Sequence, residues 1–309
     1  MNYFDLHCDT VTELYKRGET LATSSLHISA ATVSLFEKYA QVFAVFSDRA
    51  RSDEECYGDF FRVEEDFRSE CGVSWCVKCD QLDDSGITAI LSVEDARILA
   101  GDLSRLNRLY GRGVRVITPL WAGTTCIGGS FDTNEGLTEF GRVVVDECMK
   151  LGIIVDISHA SELSARQMIE IASSYGSPVI ASHSDSYTVH PHERNIKECE
   201  ARRVASSGGV IGVCLHSPHL GCDKVNAETV FSHIEHLINI AGAASVCIGA
   251  DFDGTDKLPH GFSSQTDILK IPEIMLRHNY PEQLIYDVMY NNAYRFFKKN
   301  LGVKRKVIK

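Results

Sequence analysis

The sequence predicts an α/β protein with a (β/α)8 TIM-barrel fold. Short runs rich in β-branched residues recur along the chain, each followed by a longer stretch with helical periodicity. This alternation is typical of a parallel sheet covered by helices. Several of the runs also end in His, Glu or Asp, at the strand ends where a barrel places its functional residues. No proline- or glycine-rich linker divides the chain, so we expect one domain over residues 1–309.

The predicted elements follow this alternation in order. The strand candidates are residues 2–7, 40–47, 86–93, 114–120, 152–158, 178–182, 209–215 and 246–250. The helix candidates are residues 53–69, 95–109, 136–150, 161–175, 196–207 and 227–241, with a closing helix at 281–300. Several helix candidates end at a glycine, the residue preferred at a left-handed helix end: Gly152, Gly176, Gly208 and Gly242.

Composition excludes several classes of partner. Lys and Arg total 31 against 42 Asp and Glu, a net charge of -11, and no long basic run offers a surface for nucleic acid or an anionic membrane. The sequence begins without a secretory leader, ends without an apolar tail, and has no run of about 18 apolar residues. Eleven cysteines, an odd number, fit reduced thiols. We therefore expect a soluble cytoplasmic protein with no nucleic-acid or membrane partner.

The first strand candidate ends in a motif that can bind metal. In the segment DLHCDT, His7 and Asp9 are two residues apart, a spacing that puts both side chains on the same face of a strand. An imidazole and a carboxylate side by side form half of a metal site. Cys8, between them, is expected to face the other way. A single H-x-D pattern is more often a buried histidine paired with an acid, so further ligands are needed.

Other strand candidates supply such ligands. Strand three runs into Glu94, strand five into His159, strand six into His183 and strand eight into Asp251. Taken singly, each histidine could be a core residue and Glu94 a helix N-terminal acid. Together with His7 and Asp9 they are too many ligands for one zinc ion, and they suit two metals about 3.5–4 Å apart that share a carboxylate.

Five segments carry a resemblance to a known family. They are DLHCDT, LSVED, GLTEFGRVVVDECMKLGIIVDISHAS, PVIASHSDSYTVHPHERN and HIEHLINIAGAASVCIGADFDG. In this order they resemble the motifs of the renal (membrane) dipeptidase family of binuclear zinc metallopeptidases, here a soluble member of the bacterial type. The resemblance spans nearly the whole chain. It implies a (β/α)8 barrel of the metal-dependent hydrolase type that cleaves dipeptides, including those with a C-terminal D-residue.

The resemblance also implies a role for each ligand. His7 and Asp9 would bind one of two zinc ions per chain, His159 and His183 would bind the other, and Glu94 would bridge them. In this interpretation the ions activate a shared water, so that a metal-bridged hydroxide is the nucleophile, and polarise the scissile carbonyl.

Two further residues receive roles in the same way. Asp251 would be the acid/base group that moves the proton of the water to the leaving amine; the sequence alone does not separate it from Asp253, and the family motif selects the first. Arg194 would hold the free carboxylate of the substrate with a bidentate donor pair. The alternative for Arg194 is a loop arginine in a surface ion pair.

The chain departs from its family after the fourth strand candidate. Well-studied members have a histidine there that stabilises the tetrahedral intermediate, whereas this chain has Trp121. An indole offers one N–H donor and narrows the pocket, so we expect reduced turnover and a preference for small residues beside it. Four histidines in later loops are interpreted as surface residues that could also line the pocket: His190, His192, His216 and His219.

The leading hypothesis is thus a metallo-dipeptidase with a small peptide substrate. A second hypothesis keeps the metals but changes the substrate to N-acyl amino acids or related carboxylate-bearing amides, which Arg194 would serve equally well. A third is a catalytically inactive metal-binding barrel, and the presence of Asp251 beside all five ligands argues against it. The sequence leaves a homodimer open.

Overall fold

A parallel β-sheet forms the centre of the protein. The computed structural model describes residues 1–71, 74–82, 87–222 and 224–308. The strands in these residues are β1 (Tyr3–Cys8), β2 (Tyr39–Phe46), β3 (Ile87–Glu94), β4 (Val114–Thr118), β5 (Ile154–Val155), β6 (Ile211–Val213) and β7 (Val246–Ile248). All pair in parallel, in the order β5-β4-β3-β2-β1-β7-β6. The predicted barrel-type α/β fold is therefore confirmed.

The predicted strand at 178–182 is wrong as a regular strand, although its position is as expected. Single parallel bridges at Ile180 and Ala181 join this segment to the residue after β5 and to β6, so it links the two edges of the sheet. Its ladder is short because a side chain replaces a strand partner: Asp156 Oδ1 accepts the backbone N–H of Ser182 at 2.8 Å. The predicted fifth strand is likewise reduced to two residues. Gly86, which begins the predicted third strand, lies outside the described residues.

Helices follow most strands. Their bounds are α1 (Thr10–Arg17), α2 (Ala30–Val33), α3 (Asp53–Glu70), α4 (Leu103–Gly111), α5 (Glu139–Leu151), α6 (Glu162–Ser174), α7 (Glu198–Ser206), α8 (Ser217–Leu220), α9 (Ala227–Ala241), α10 (Lys270–Arg277), α11 (Glu282–Tyr286) and α12 (Asn292–Asn300), with a π-turn at Asp287–Asn291 between the last two. Short 3-10 turns lie at Cys79–Gln81, Ala96–Leu99, Ala243–Ser245 and Gln265–Leu269. Among the described residues, none of these helices is both long and apolar enough to cross a membrane.

One predicted helix, 95–109, is interrupted. A 3-10 turn ends at Leu99, Ala100 and Gly101 have φ angles of 46° and 79°, and α4 begins only after Asp102, whose side chain accepts the backbone N–H of Ser104. Left-handed residues followed by a capping aspartate end one helix and begin another. The four glycines predicted at helix ends all have positive φ angles.

The strands meet in an apolar cluster that α12 covers at one end. Strands β1 to β5 and β7 contribute to it, as do Ile180 of the bridging segment and Val210, which directly precedes β6. Phe297 of α12 stacks on Phe4 of β1, with ring centroids 5.1 Å apart. Inward-facing apolar residues from around the sheet are typical of the interior of a barrel. Polar residues therefore concentrate at the carboxyl ends of the strands.

Candidate metal centre

Five of the predicted ligands meet at the carboxyl ends of the strands. His7 lies in β1, Glu94 is the last residue of β3, and His159 and His183 follow β5 and the bridging segment. The two-residue spacing predicted that Asp9 shares a strand face with His7, but β1 ends at Cys8 and Asp9 lies outside it. It directly precedes α1, and its backbone N–H donates to the carbonyl of Phe252 at 3.0 Å. The Cys8 side chain is fully buried among apolar residues that include Val11 and Phe43.

Glu94 lies between two groups of ligands. Its Oε2 atom is 3.5 Å from His7 Nε2, while its Oε1 atom is 3.0 Å from His159 Nε2 and 3.5 Å from His183 Nε2. The two latter imidazole nitrogens are 2.8 Å apart. Each carboxylate oxygen therefore faces a different group, which is the geometry of a bridging ligand.

Unpartnered polar atoms show that these groups fit metal ions. His7 Nε2 and Asp9 Oδ1 are buried, 3.8 Å apart, and have no hydrogen-bond partner among the described residues. Buried polar atoms without partners are costly unless something else binds them. The ligand atoms of His7, Asp9 and Glu94 lie within 4.8 Å of one another, and so do those of Glu94, His159 and His183. Nitrogen and carboxylate donors in this number suit zinc.

Electrostatics also favour cations here. Burial raises the pKa of Asp9 well above its usual range, and the charge of Glu94 adds to the effect. Burial, aided by Glu94, raises the pKa of Asp251 to about 7. Burial alone would lower the pKa of His7, but the carboxylates of Glu94, Asp9 and Asp251 outweigh it and raise that pKa to about 10. The centre is rich in negative charge, which a divalent ion would neutralise.

Hydrogen bonds orient His159 and His183, the two histidines on one side of Glu94. His159 Nδ1 lies 2.9 Å from the Trp121 carbonyl oxygen, to which it donates, and His183 Nδ1 lies 2.7 Å from Ser182 Oγ. The Ser182 hydroxyl in turn donates to Asp156. A partner at Nδ1 sets the tautomer and leaves Nε2 free to bind metal. Ser182 and Asp156 were not predicted as site residues, although both lie in segments that carry the family resemblance.

The surroundings of His159 and His183 favour the neutral form of both imidazoles. Burial and the positive charge of Arg194 lower the pKa of His159 to about 4. Burial and the charge of His7 lower the pKa of His183 well below its usual range. A neutral imidazole is the form that binds a metal ion.

The structure separates the two acids that the sequence left open. Asp251 Oδ1 lies 3.8 Å from His7 Nε2, beside the centre. Asp253 is already engaged, because its carboxylate accepts hydrogen bonds from the Thr10 hydroxyl at 2.6 Å and from the His27 backbone at 2.7 Å. Of the two acids, Asp251 is therefore the one that lies against the predicted metal ligands.

Backbone conformation brings these groups together. His159 and Asp251 have φ angles of 67° and 60°, a left-handed region where strain is often found at functional sites. At Gly254 a Cβ atom would collide with the carboxylates of both Asp9 and Asp251. A larger residue would have to displace these carboxylates, a requirement that was not predicted from the sequence.

The centre opens into a cavity of about 300 Å³ that Arg194 also lines. The Arg194 side chain is only 5% exposed, and its Nη2 atom donates to the His183 carbonyl at 3.2 Å. In the part of the chain that the structure describes, it forms no ion pair and its Nε atom has no partner. The alternative of a surface ion pair is therefore wrong, and a buried cation faces the cavity.

Aromatic rings and two histidines complete the walls. The Trp121 ring packs against Phe46 and His159, with centroids 5.0 and 6.0 Å apart. His216 and His219 also line the cavity and are half-buried, so their interpretation as surface residues is wrong. Trp121 thus contacts the centre in two ways, through its ring and through its carbonyl oxygen.

A family model described as membrane dipeptidase (peptidase family M19) matches residues 1–307. An uncharacterized dipeptidase of Schizosaccharomyces pombe is 31% identical over 227 residues, which cover 69% of this chain and 53% of the relative. Dipeptidase 3 of Mus musculus is 30% identical over 229 residues, which cover 71% of this chain and 46% of the relative. The chain therefore spans about half the length of the curated relatives it matches.

Solved structures show the same fold. A metallopeptidase described as dipeptidase AC has a TM-score of 0.87 at 24% identity, covering 98% of this chain and 99% of its own. A metallopeptidase of Rhodobacter sphaeroides, solved with a phosphinate mimic of the dipeptide L-Ala-D-Ala, has a TM-score of 0.86 at 22% identity, covering 97% and 99%.

Proposed function

Because this chain belongs to the membrane dipeptidase family, peptidase family M19, we propose that it is a metal-dependent dipeptidase acting on free dipeptides. The observation that carries the proposal is the position of Glu94. Its two oxygens face His7 on one side and His159 and His183 on the other, in the cavity that also holds Arg194. A shared carboxylate beside a buried guanidinium suits the hydrolysis of substrates that end in a carboxylate.

We assign two zinc ions to the centre. His7 and Asp9 would hold one, His159 and His183 the other, and Glu94 would bridge them. When bound, the ions supply an activated water and polarise the scissile carbonyl. His159 and His183 would contribute neutral Nε2 atoms, His7 would lose its proton on binding, and Asp9 and Glu94 would contribute negative charge that offsets the charge of the ions.

Asp251 would move the proton. Its carboxylate lies beside His7 and lines the cavity. From there it can accept a proton from the attacking water and deliver it to the leaving amine, the work of a general base that becomes a general acid. Gly254 keeps the space beside this carboxylate open.

Arg194 would select the substrate. A guanidinium presents paired donors that match a carboxylate, and the free Nε atom of Arg194 is one of them. Substrates would therefore carry a free C-terminus, and we include dipeptides with a C-terminal D-residue among them. N-acyl amino acids carry the same carboxylate, so the panel below includes them.

The test is an activity panel on protein of measured zinc content. Dipeptides should be cleaved in preference to N-acyl amino acids, with two zinc ions per chain. Arg194→Ala should lower kcat/KM for free dipeptides by on the order of 10²-fold, about 2–3 kcal/mol for a charged hydrogen bond, while hardly affecting C-terminally amidated dipeptides. Arg49→Ala, which removes an arginine that packs over the Trp121 ring, is the matched control and should not discriminate between them.

Each outcome of the panel decides a part of the proposal. Faster cleavage of N-acyl amino acids would replace the dipeptidase by an amidohydrolase, and inactivity at full zinc content would support the inactive barrel. Equal losses on free and amidated dipeptides in Arg194→Ala would show that Arg194 does not bind the substrate carboxylate.

A single domain over residues 1–309 and a cytoplasmic location also belong to the proposal. Limited proteolysis should find one resistant unit.

A further inference from the structure

Three potential ligands remain unused by the proposed chemistry. Asp185, Cys214 and His219 place ligand atoms within 4.8 Å of one another. Asp185 follows the metal-centre residue His183 by two positions, Cys214 directly follows β6, and His219 lies in α8. Asp185 and Cys214 are fully buried, whereas His219 is half-buried and reaches the cavity. Segments distant in the chain thus bring together a carboxylate, a thiol and an imidazole.

The carboxylate of Asp185 has a free oxygen. Its Oδ1 atom accepts the backbone N–H of Cys214 at 3.1 Å, which holds the carboxylate against β6. Its Oδ2 atom is buried and has no hydrogen-bond partner in the described part of the chain. A fully buried oxygen without a partner is costly, so a bound group that uses it would stabilise the fold.

We propose that Asp185, Cys214 and His219 bind a third divalent ion, zinc or a chemically similar metal, at a mononuclear site distinct from the Glu94 centre. Thiolate, imidazole and carboxylate are the three donor types that zinc accepts. Three protein ligands leave a fourth position for water, as in other zinc sites that are not purely structural.

The charges of this site balance. An ionised thiol and an ionised carboxylate carry two negative charges, which neutralise one divalent ion. Arg194 lies near both groups, and a neutral complex would not repel its guanidinium. A harder ion such as Mg²⁺ is disfavoured, because it prefers oxygen ligands and binds thiolate poorly.

Histidine rings connect the site to the surface. The ring of His219 lies 4.4 Å from that of His216 and 4.6 Å from that of His192, between centroids, and His190 lies 6.3 Å beyond His192. His190 and His192 line a groove of about 1020 Å³. These imidazoles offer successive ligands along which an ion can reach the buried donors.

The third ion would link two loops. Asp185 belongs to the segment that leads from His183 to Arg194, while Cys214 and His219 belong to the segment after β6. An ion bound to all three would tie the segment that carries Arg194 to α8. The third ion would therefore restrain Arg194, the residue proposed to bind the substrate carboxylate, without itself contacting the substrate.

Cobalt substitution tests the site directly. Metal-free protein is reloaded with Co²⁺, and the ions per chain and the thiolate-to-cobalt charge-transfer absorption are measured. None of the five ligands assigned to the Glu94 centre carries sulfur, so this absorption reports only on a thiolate site. Wild type should bind three ions and show the band. Cys214→Ser and His219→Ala should each bind one ion fewer and lose the band.

The controls separate this inference from the proposed function. Cys222→Ser removes an exposed thiol that lines the same groove, and it should keep both the third ion and the band. Glu94→Ala should lose the ions of its own centre but keep the band. Wild type without a thiolate band, or a band that persists in Cys214→Ser or His219→Ala, overturns the third site. The band is informative whatever the activity panel shows, and His219→Ala decides the matter if Cys214→Ser fails to fold.

Discussion

His7 and Glu94 belong to strands of six and eight residues, whereas His159 and His183 follow a two-residue strand and a segment joined by single bridges. His7 and Asp9 form the first half of the centre, His159 and His183 form the second half, and Glu94 lies between them. Strand β3, which ends at Glu94, pairs with β2 along its whole length. A continuous ladder fixes the backbone and with it the direction of each side chain. Glu94 is therefore placed mainly by the backbone, whereas His7 lies where the register between β1 and β2 shifts.

The second half depends on side chains instead. Asp156 accepts the backbone N–H of Ser158 at 3.0 Å, that of Ser182 at 2.8 Å and the Thr118 hydroxyl at 2.7 Å. One buried carboxylate thus replaces the missing ladder and supports His183 through Ser182. A side chain at a strand end can therefore be held by a ladder, as Glu94 is, or by a hydrogen-bond network, as His183 is. The network is the more sensitive to substitution.

The largest expected effect comes from the residue that both halves share. Glu94→Ala should lower zinc occupancy in both halves and reduce kcat/KM by at least about 10³-fold, because the metals supply several kcal/mol of transition-state stabilisation. Elemental analysis and dipeptide hydrolysis would measure this. Glu13→Ala, which removes a carboxylate lining the same cavity, is the control and should keep both ions. Zinc lost from one half alone in Glu94→Ala would show that the carboxylate does not bridge.

A pair of aspartates compares the halves directly. Asp5 accepts hydrogen bonds from the backbone of His7 and Ala250, within a strand that is paired on both sides. Asp156→Ala and Asp5→Ala should each destabilise the fold by about 3 kcal/mol, since each leaves several buried donors without an acceptor. Only Asp156→Ala should also weaken zinc binding at His159 and His183 by about 10–100-fold. Competition with a chromophoric chelator would measure this, and equal losses in the two variants would contradict the distinction.

Metal removal should affect the halves unequally. Ions at 100 times their Kd stabilise the folded state by about 2.7 kcal/mol, so a chelator should lower the Tm. Amide hydrogen exchange should accelerate more in residues 154–185 than in β1 and β3, because the ligands of the second half lack a ladder. Re-addition of zinc should restore the protection, and uniform acceleration across the sheet would show that both halves depend equally on the ions.

Trp121→His should have the smallest effect. The Trp121 carbonyl, not its ring, accepts the hydrogen bond from His159, so zinc content should not change. A histidine restores a donor near the reacting carbonyl, and kcat on dipeptides should rise by up to about 10-fold, less than the gain of an ideally placed oxyanion donor. Trp121→Phe, which has no donor, is the control. A kcat that falls in the histidine variant on every dipeptide tested would show that the pocket is built around the tryptophan.

The sequence predicted the barrel-type fold and the strand-end positions of His7, Glu94, His159 and His183. Both follow from local pattern, because hydrophobic runs show where strands end and parallel strands of a barrel end on one rim. The prediction from the sequence was wrong where a side chain takes the place of a backbone partner. Asp156 takes over backbone donors, so 178–182 forms bridges in place of a regular strand.

By itself, the sequence determined which residue types end the strands and their order along the chain, and so the proposed ligands. Only the tertiary structure decided that the two oxygens of Glu94 face different histidines, that Arg194 is buried, and that Asp251 lies beside His7 while Asp253 is hydrogen-bonded to Thr10 and His27. These features depend on distances of a few ångströms between residues far apart in the chain. Asp253 and the His27 backbone N–H, for example, are 226 positions apart and hydrogen-bonded at 2.7 Å. Local periodicity carries no information about such a contact, because it forms only when the whole barrel packs.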